Sequence, residues 1–173
     1  EMLFVITQHT DQMFLRDDQA LMRWANVFAN MDTDQIRSSL QFIEKDAQIA
    51  ALAFVPSGEA QGITNSGQPF NPAPYDFSKG RSVGETDMSE PYMGSVGAWC
   101  YCLRTEITSV NGPLGTLYGE FIYDNFRNML PQEFYSNEGV IYLMDAESGR
   151  FVVHPNNLAG TKGGNRNLKF FLE

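Results

Sequence analysis

Two long alternating runs joined at Asn111-Gly112 constrain this chain more than any other feature. From Trp99 to Ser109 the side chains divide cleanly between the faces of one strand. Trp99, Tyr101, Leu103, Thr105 and Ile107 lie on one side, with Cys100, Cys102, Arg104, Glu106 and Thr108 on the other. Asn-Gly is the strongest short-range hairpin signal, because a tight primed turn needs positive φ at its centre. The partner strand then runs from Leu114 to Tyr123 and closes on Asp124. A two-stranded wall with inward aromatics and a terminal carboxylate is a surface that can hold a small molecule.

The flanking sequence predicts helices on one side of this wall. Residues 1–31 read as one helix, with Leu3, Ile6, Thr10, Met13, Ala20, Trp24, Val27 and Met31 at three- and four-residue steps; Asp17 interrupts the stripe. Such a helix spans roughly 45 Å. It is a coiled-coil spine, a rod carrying motion between two ends, or a helix merely packed on a sheet; the stripe fits the last equally well and only the length favours the rod. Asp32 with Gln35 predicts a capping box that opens a second helix over about 33–45. The apolar run Ile49–Val55 fits a central strand, turned back at Pro56-Ser57-Gly58-Glu59 into a shorter strand over 60–64.

Residues 65–97 carry Pro69, Pro72, Pro74 and five glycines, and predict a long loop with at most short helical turns. Loops of that length inside compact domains are usually functional when ordered, which suits a binding cap. After the central hairpin come a short helix or turn over 125–134, a second hairpin (139–144 and 150–154) and a terminal helix over 168–172. Helices beside an antiparallel sheet define an α+β domain.

Composition narrows the function. The 173 residues carry a formal net charge of −9, with 43% hydrophobic and 13% aromatic content. That is globular, and the acid excess disfavours nucleic acid and anionic lipid surfaces, both of which need clustered Lys and Arg. No apolar run approaches the roughly 20 residues of a membrane helix, and no signal peptide is visible. A start at Glu1, already inside a helical pattern, predicts a piece excised from a longer protein. Cys100 and Cys102 share a strand face at roughly 6.5–7 Å with parallel Cβ vectors, poor geometry for a disulfide. His9 and His154 lie too far along the chain to complete a metal site with them, so no metal and no cofactor is expected.

In this order the motifs resemble the Cache family of extracytoplasmic bacterial sensor domains, whose sheet is like that of PAS domains. Ser89-Glu90-Pro91-Tyr92 resembles the serine-aromatic motif entering the sheet, and Gly115–Asp124 the glycine-containing strand that closes on an aspartate. Gly139–Asp145 followed by Gly149–Asn156 resembles the hairpin opening the second module of a double Cache domain. The likeness covers nearly the whole chain. It implies a long N-terminal helix packed on a PAS-like antiparallel sheet, followed by a second PAS-like module that is truncated or reduced. The implied divisions are 1–47 (helices), 48–126 (ligand-sensing module) and 127–173 (start of the second module). It further implies placement outside the cytoplasm between two membrane spans of a receptor, such as a histidine kinase, diguanylate cyclase or chemoreceptor. One subfamily binds amino acids through an Arg followed by Trp and Tyr, with a later Tyr and Asp. Arg81 and Asp124 fill two of those places, but Ser82-Val83 follow Arg81, which weighs against an amino acid.

Each candidate ligand contact has a plainer alternative. Asp124 can accept from a ligand ammonium or cap the following turn. Arg81 can clamp a carboxylate or stand solvated on a loop. Trp99, Tyr101 and Tyr118 can line a pocket or fill the core, and Tyr75 and Tyr92 can serve as lid contacts or surface packing. Catalytic groupings fare worse. Glu120 and Asp124 sit roughly 13 Å apart on a strand, beyond the roughly 5–9.5 Å of paired glycosidase carboxylates. His154 has no nucleophile motif beside it, Gly160–Gly164 lacks the spacing of a phosphate loop, and Asp145–Gly149 is too short for a calcium loop.

The expectation is a non-catalytic domain that senses a small polar metabolite and relays binding through the long helix, as a homodimer. A ligand-free protein-interaction module is the alternative, with a flat apolar patch in place of a pocket; a hydrolase assembled from distant segments ranks last.

Overall fold

The computed structural model describes residues 2–43, 49–94, 97–123, 125–126, 143–144, 149 and 151–153. Helix α1 (Met2–Phe28) is 27 residues long, about 40 Å. Its inner face buries Met13, Ala20, Leu21, Ala25 and Phe28 against the sheet. A short break leads to α2 (Thr33–Leu40), where the capping box forms as expected. The Gln35 amide donates to Asp32 Oδ1 at 2.8 Å, and the Asp32 amide donates to Gln35 Oε1 at 2.9 Å. Satisfying two of the orphan amides in this way is worth about 1 kcal/mol. The helix ends at Leu40, short of the expected 45, and residues 44 and 45 of that expectation lie outside the described residues.

The strands form one antiparallel sheet of eight in the order β3-β2-β1-β8-β7-β5-β4, with β6 also paired to β7. These are β1 (Ala51–Pro56), β2 (Gly62–Thr64), β3 (Pro69–Phe70), β4 (Arg81–Val83), β5 (Thr86–Met88), β6 (Tyr92–Met93), β7 (Trp99–Ser109) and β8 (Gly112–Ile122). The β7–β8 hairpin forms as the sequence predicts, but its turn residues are Val110-Asn111, one place before the expected Asn111-Gly112 pair, because Gly112 already pairs with Ser109. Strand β1 lies against β8 in the centre. β1 is continuously apolar because both its faces are covered: Leu52 and Phe54 pack toward the helices, Ala53 and Val55 away from them.

Between residues 65 and 94 the loop expectation is corrected. This stretch holds the four short strands β3 to β6, each of two or three residues. Segments that brief are too short for alternation to show in sequence. Ser89 joins two of them to the centre: its amide donates to the Cys102 carbonyl and its Oγ accepts from the Cys102 amide, both at 2.9 Å.

A separate two-stranded sheet pairs β9 (Leu143–Met144) with β10 (Phe151–Val153), the hairpin expected there. Of the short helix or turn predicted over 125–134, residues 127–134 lie outside the described residues, as does the terminal helix predicted over 168–172. The α+β architecture therefore stands as predicted, with α1 across one face of the sheet.

Candidate functional site

Strand parity decides what the sheet can present. In the β7–β8 register Tyr101 pairs with Phe121 and Leu103 with Gly119, while Cys102 pairs with Glu120 and Arg104 with Tyr118. Opposed residues share a face, so odd-numbered side chains of both strands go one way and even-numbered ones the other. The odd set meets α1. The even set faces away from the helix, and Phe70, Tyr75, Phe77 and Tyr92 pack over it.

Between that cover and the sheet lies a cavity of about 460 Å³, within the usual range for small-molecule sites, about 300–1,000 Å³. Its floor is Ala53 of β1, Cys102 of β7, and Tyr118 and Glu120 of β8. Its rim and wall are aromatic: Phe70 stacks on Tyr75 (5.5 Å between centroids) and meets Tyr118 (5.1 Å), and Tyr92 meets Tyr75 edge-on at 4.9 Å. Phe70 is held on β3, paired with Gly62 of β2, and Tyr75 sits in a turn closed by its amide donating to the Pro72 carbonyl at 3.1 Å.

One carboxylate stands in this lining. Glu120 is 9% exposed; its Oε2 accepts from the Tyr92 hydroxyl at 2.8 Å, and among the described residues its Oε1 has no partner. Burial first, then the neighbouring Cys102 and Glu120, hold the Tyr92 hydroxyl far above the ordinary tyrosine range, and the same causes push Tyr75 up to about 12. Burial followed by the Glu120 charge also raises the Cys102 thiol and pushes Cys100 up to about 12. Both cysteines are free, buried and neutral at physiological pH. Among the described residues no group of three or more His, Cys, Asp or Glu side chains is placed to hold a metal ion.

The opposite face couples the sheet to α1. Tyr101, fully buried, donates its hydroxyl to Asp17, whose other oxygen meets Arg16 at 3.2 Å. The next residue, Asp18, accepts from the Glu85 amide at 3.0 Å in the turn between β4 and β5. The acidic break in the helix stripe thus marks where the helix is bonded to the sheet.

Of the residues singled out in the sequence, Tyr75, Tyr92 and Tyr118 meet at the cavity. Tyr101 does not: register places it under the helix, among Phe14, Phe121 and Tyr123. Trp99 shares that parity and packs partly against the helix-side core. Arg81 stands on edge strand β4, paired with Glu90 at 3.3 Å and away from the cavity lining. Asp124 lies outside the described residues. Sequence reasoning missed Glu120, Phe70 and Cys102 as lining residues. Alternation within β8 alone puts Glu120 on the same face as Tyr118.

No protein-family model and no curated protein matches the sequence. Solved structures do match in fold. The ligand-binding domain of the Pseudomonas aeruginosa amino-acid chemoreceptor PctC, in complex with GABA, superposes with a TM-score of 0.64 at 13% identity, covering 92% of this chain and 76% of that one. The ligand-binding domain of the Pseudomonas fluorescens chemoreceptor CtaA, with L-alanine, gives 0.66 at 18% identity, over 94% and 73%. The sensory domain of the Campylobacter jejuni chemoreceptor Tlp3, with isoleucine bound, gives 0.71 at 9% identity, over 98% and 75%. The chain therefore has the Cache-type, PAS-like fold of chemoreceptor ligand-binding domains, as the sequence motifs implied.

Proposed function

We propose that this chain is the ligand-sensing part of an extracytoplasmic receptor, and that it binds a small nitrogenous metabolite in the cavity between β8 and the cover formed by Phe70, Tyr75 and Tyr92. The observation that carries this is the cavity itself: about 460 Å³, walled by interlocked aromatics and holding an incompletely partnered carboxylate. The structures with the same fold hold GABA, alanine and isoleucine, which favours an amino-bearing guest. Tyr75, Tyr92, Tyr118 and Glu120 are the proposed contacts. Asp124 is retained as a strand-end contact, while Arg81, Trp99 and Tyr101 act elsewhere. Binding shifts the population between two settings of the sheet against α1, and the helix relays the change. Exposed Leu15 and Val27 on α1 suit a helix-mediated dimer. Residues 127–173 begin the second module.

Thermal-shift screening against a broad metabolite library tests the reading. A true guest at 100 times its Kd adds about 2.7 kcal/mol, which raises the apparent Tm of a domain this size by roughly 5–10 °C. The shift shrinks in Tyr75→Ala, a half-buried rim position. A library without a single hit, or a hit whose shift is unchanged in Tyr75→Ala, counts against the site.

A further inference from the structure

We infer that the group this cavity recognises is an organic cation, an alkylammonium or quaternary ammonium, with Glu120 as its counter-ion and the rings of Phe70, Tyr75, Tyr92 and Tyr118 as its wall. The inference deepens the sensor reading above and rests on it.

Three observations on the molecule converge. The first is Glu120. A carboxylate withdrawn from water needs hydrogen bonds and an opposite charge to offset its lost hydration. It receives one bond, from Tyr92, and among the described residues it makes no ion pair while Oε1 has no partner. A guest cation supplies what is missing.

The second is the wall. Four aromatic rings at centroid separations of 4.9–5.5 Å enclose one side of the cavity. Aromatic faces carry negative potential and attract cations, most strongly where water is excluded. Cages of this composition suit ammonium groups that carry methyl or methylene substituents, because the same rings also bury the alkyl carbons.

The third is what the lining lacks. No Lys, Arg or His belongs to the described lining, so nothing there pairs with a carboxylate or phosphate. The cations nearby are already engaged. Arg104 lies 4.1 Å over the Phe77 ring and bonds Asp87 at 3.1 Å, and Arg81 pairs with Glu90. Within the described lining an anionic solute would meet the charge of Glu120 and no cation.

Isothermal titration of the intact chain with five probes of similar size tests this: butyltrimethylammonium, 1,4-diaminobutane, butanol, butyrate and alanine. At least one of the two cations binds, and butanol and butyrate do not. Glu120→Gln, isosteric and still able to accept from Tyr92, weakens the bound cation at least about 30-fold. Tyr75→Leu weakens it roughly 3- to 30-fold and keeps the test open should the Gln variant not fold. Butyrate or alanine binding better than both cations, or cation binding unchanged in Glu120→Gln, overturns the cation assignment and leaves the sensor reading standing. Failure of all five probes overturns the assignment too. Only if the metabolite library also produces no hit does the sensor reading fall with it.

Discussion

Asp17 shows how one residue can contradict a pattern and explain it. Its carboxyl is 2% exposed in the middle of α1, where burial raises its pKa above the ordinary 3.8; the bonds from Tyr101 and Arg16 oppose that rise. A carboxyl whose folded pKa is raised binds its proton more tightly in the native state. Its contribution to stability is therefore fully present below the unfolded value and is lost as pH climbs through the raised folded value. Asp17→Asn removes the titration but keeps an oxygen for the Tyr101 hydroxyl. Urea midpoints measured from pH 4 upward should fall less steeply in Asp17→Asn than in the parent. Parallel pH profiles would show that Asp17 titrates alike in both states. The residue scale is also where the sequence was least legible. Composition suggested tyrosines for a pocket, and Tyr75, Tyr92 and Tyr118 reached it. Tyr101 did not, because an irregularity between Ile107 and Thr108 shifts the register by one residue, so that Tyr101 pairs with Phe121 and faces away from Tyr118. Whether a given aromatic lines a cavity or fills a core is a tertiary fact, and no residue type announces it.

At the scale of elements, α1 crosses the sheet where the sheet is lowest. Gly119, in the middle of β8, lies beneath Leu21: a Cβ built there would stand 3.0 Å from Leu21 Cδ1 and 2.9 Å from Phe121 Cε2. Both are tighter than van der Waals contact, and both neighbours are fully buried. Gly119→Val therefore forces the helix and the Phe121 ring apart, at a cost of about 1–3 kcal/mol. Chemical denaturation should give a lower midpoint by that amount; a neutral outcome would mean that the helix rides higher than described. Elements of this kind were legible because their signals are long. The stripe of α1, the capping box at Asp32 and the Asn111-Gly112 hairpin each spend several residues on one message. β3 to β6 were not, since two or three residues cannot establish a period, and their pairing is imposed by the neighbouring strands and by Ser89.

For the whole molecule, the question is how a guest on one side of the sheet is felt on the other. The sheet is one strand thick, and the residues alternate. Tyr118 and Glu120 face the cavity, while Gly119 and Phe121 between and beyond them face α1. On the proposed reading, displacing Glu120 toward a guest moves the backbone on which Leu21 rests. Tyr101, one pairing away at Phe121, carries the same movement to Asp17. Asp18 adds a second attachment at the β4–β5 turn, so the helix is bonded to the sheet at two consecutive residues. A rigid attachment of this kind predicts a shared response. Amides of α1 that exchange only through openings that also empty the cavity should slow together with those of β7 and β8 when a guest is bound. At 100 times Kd the slowing reaches up to about 100-fold, the equivalent of about 2.7 kcal/mol. Hydrogen exchange followed by mass spectrometry, with and without the guest, reads both sets at once. In Asp17→Ala combined with Asp18→Ala, which removes both acceptors, protection of β7 and β8 should persist while the gain in α1 falls. Slowing confined to the strands in the parent chain would separate binding from the helix and leave the relay without a route.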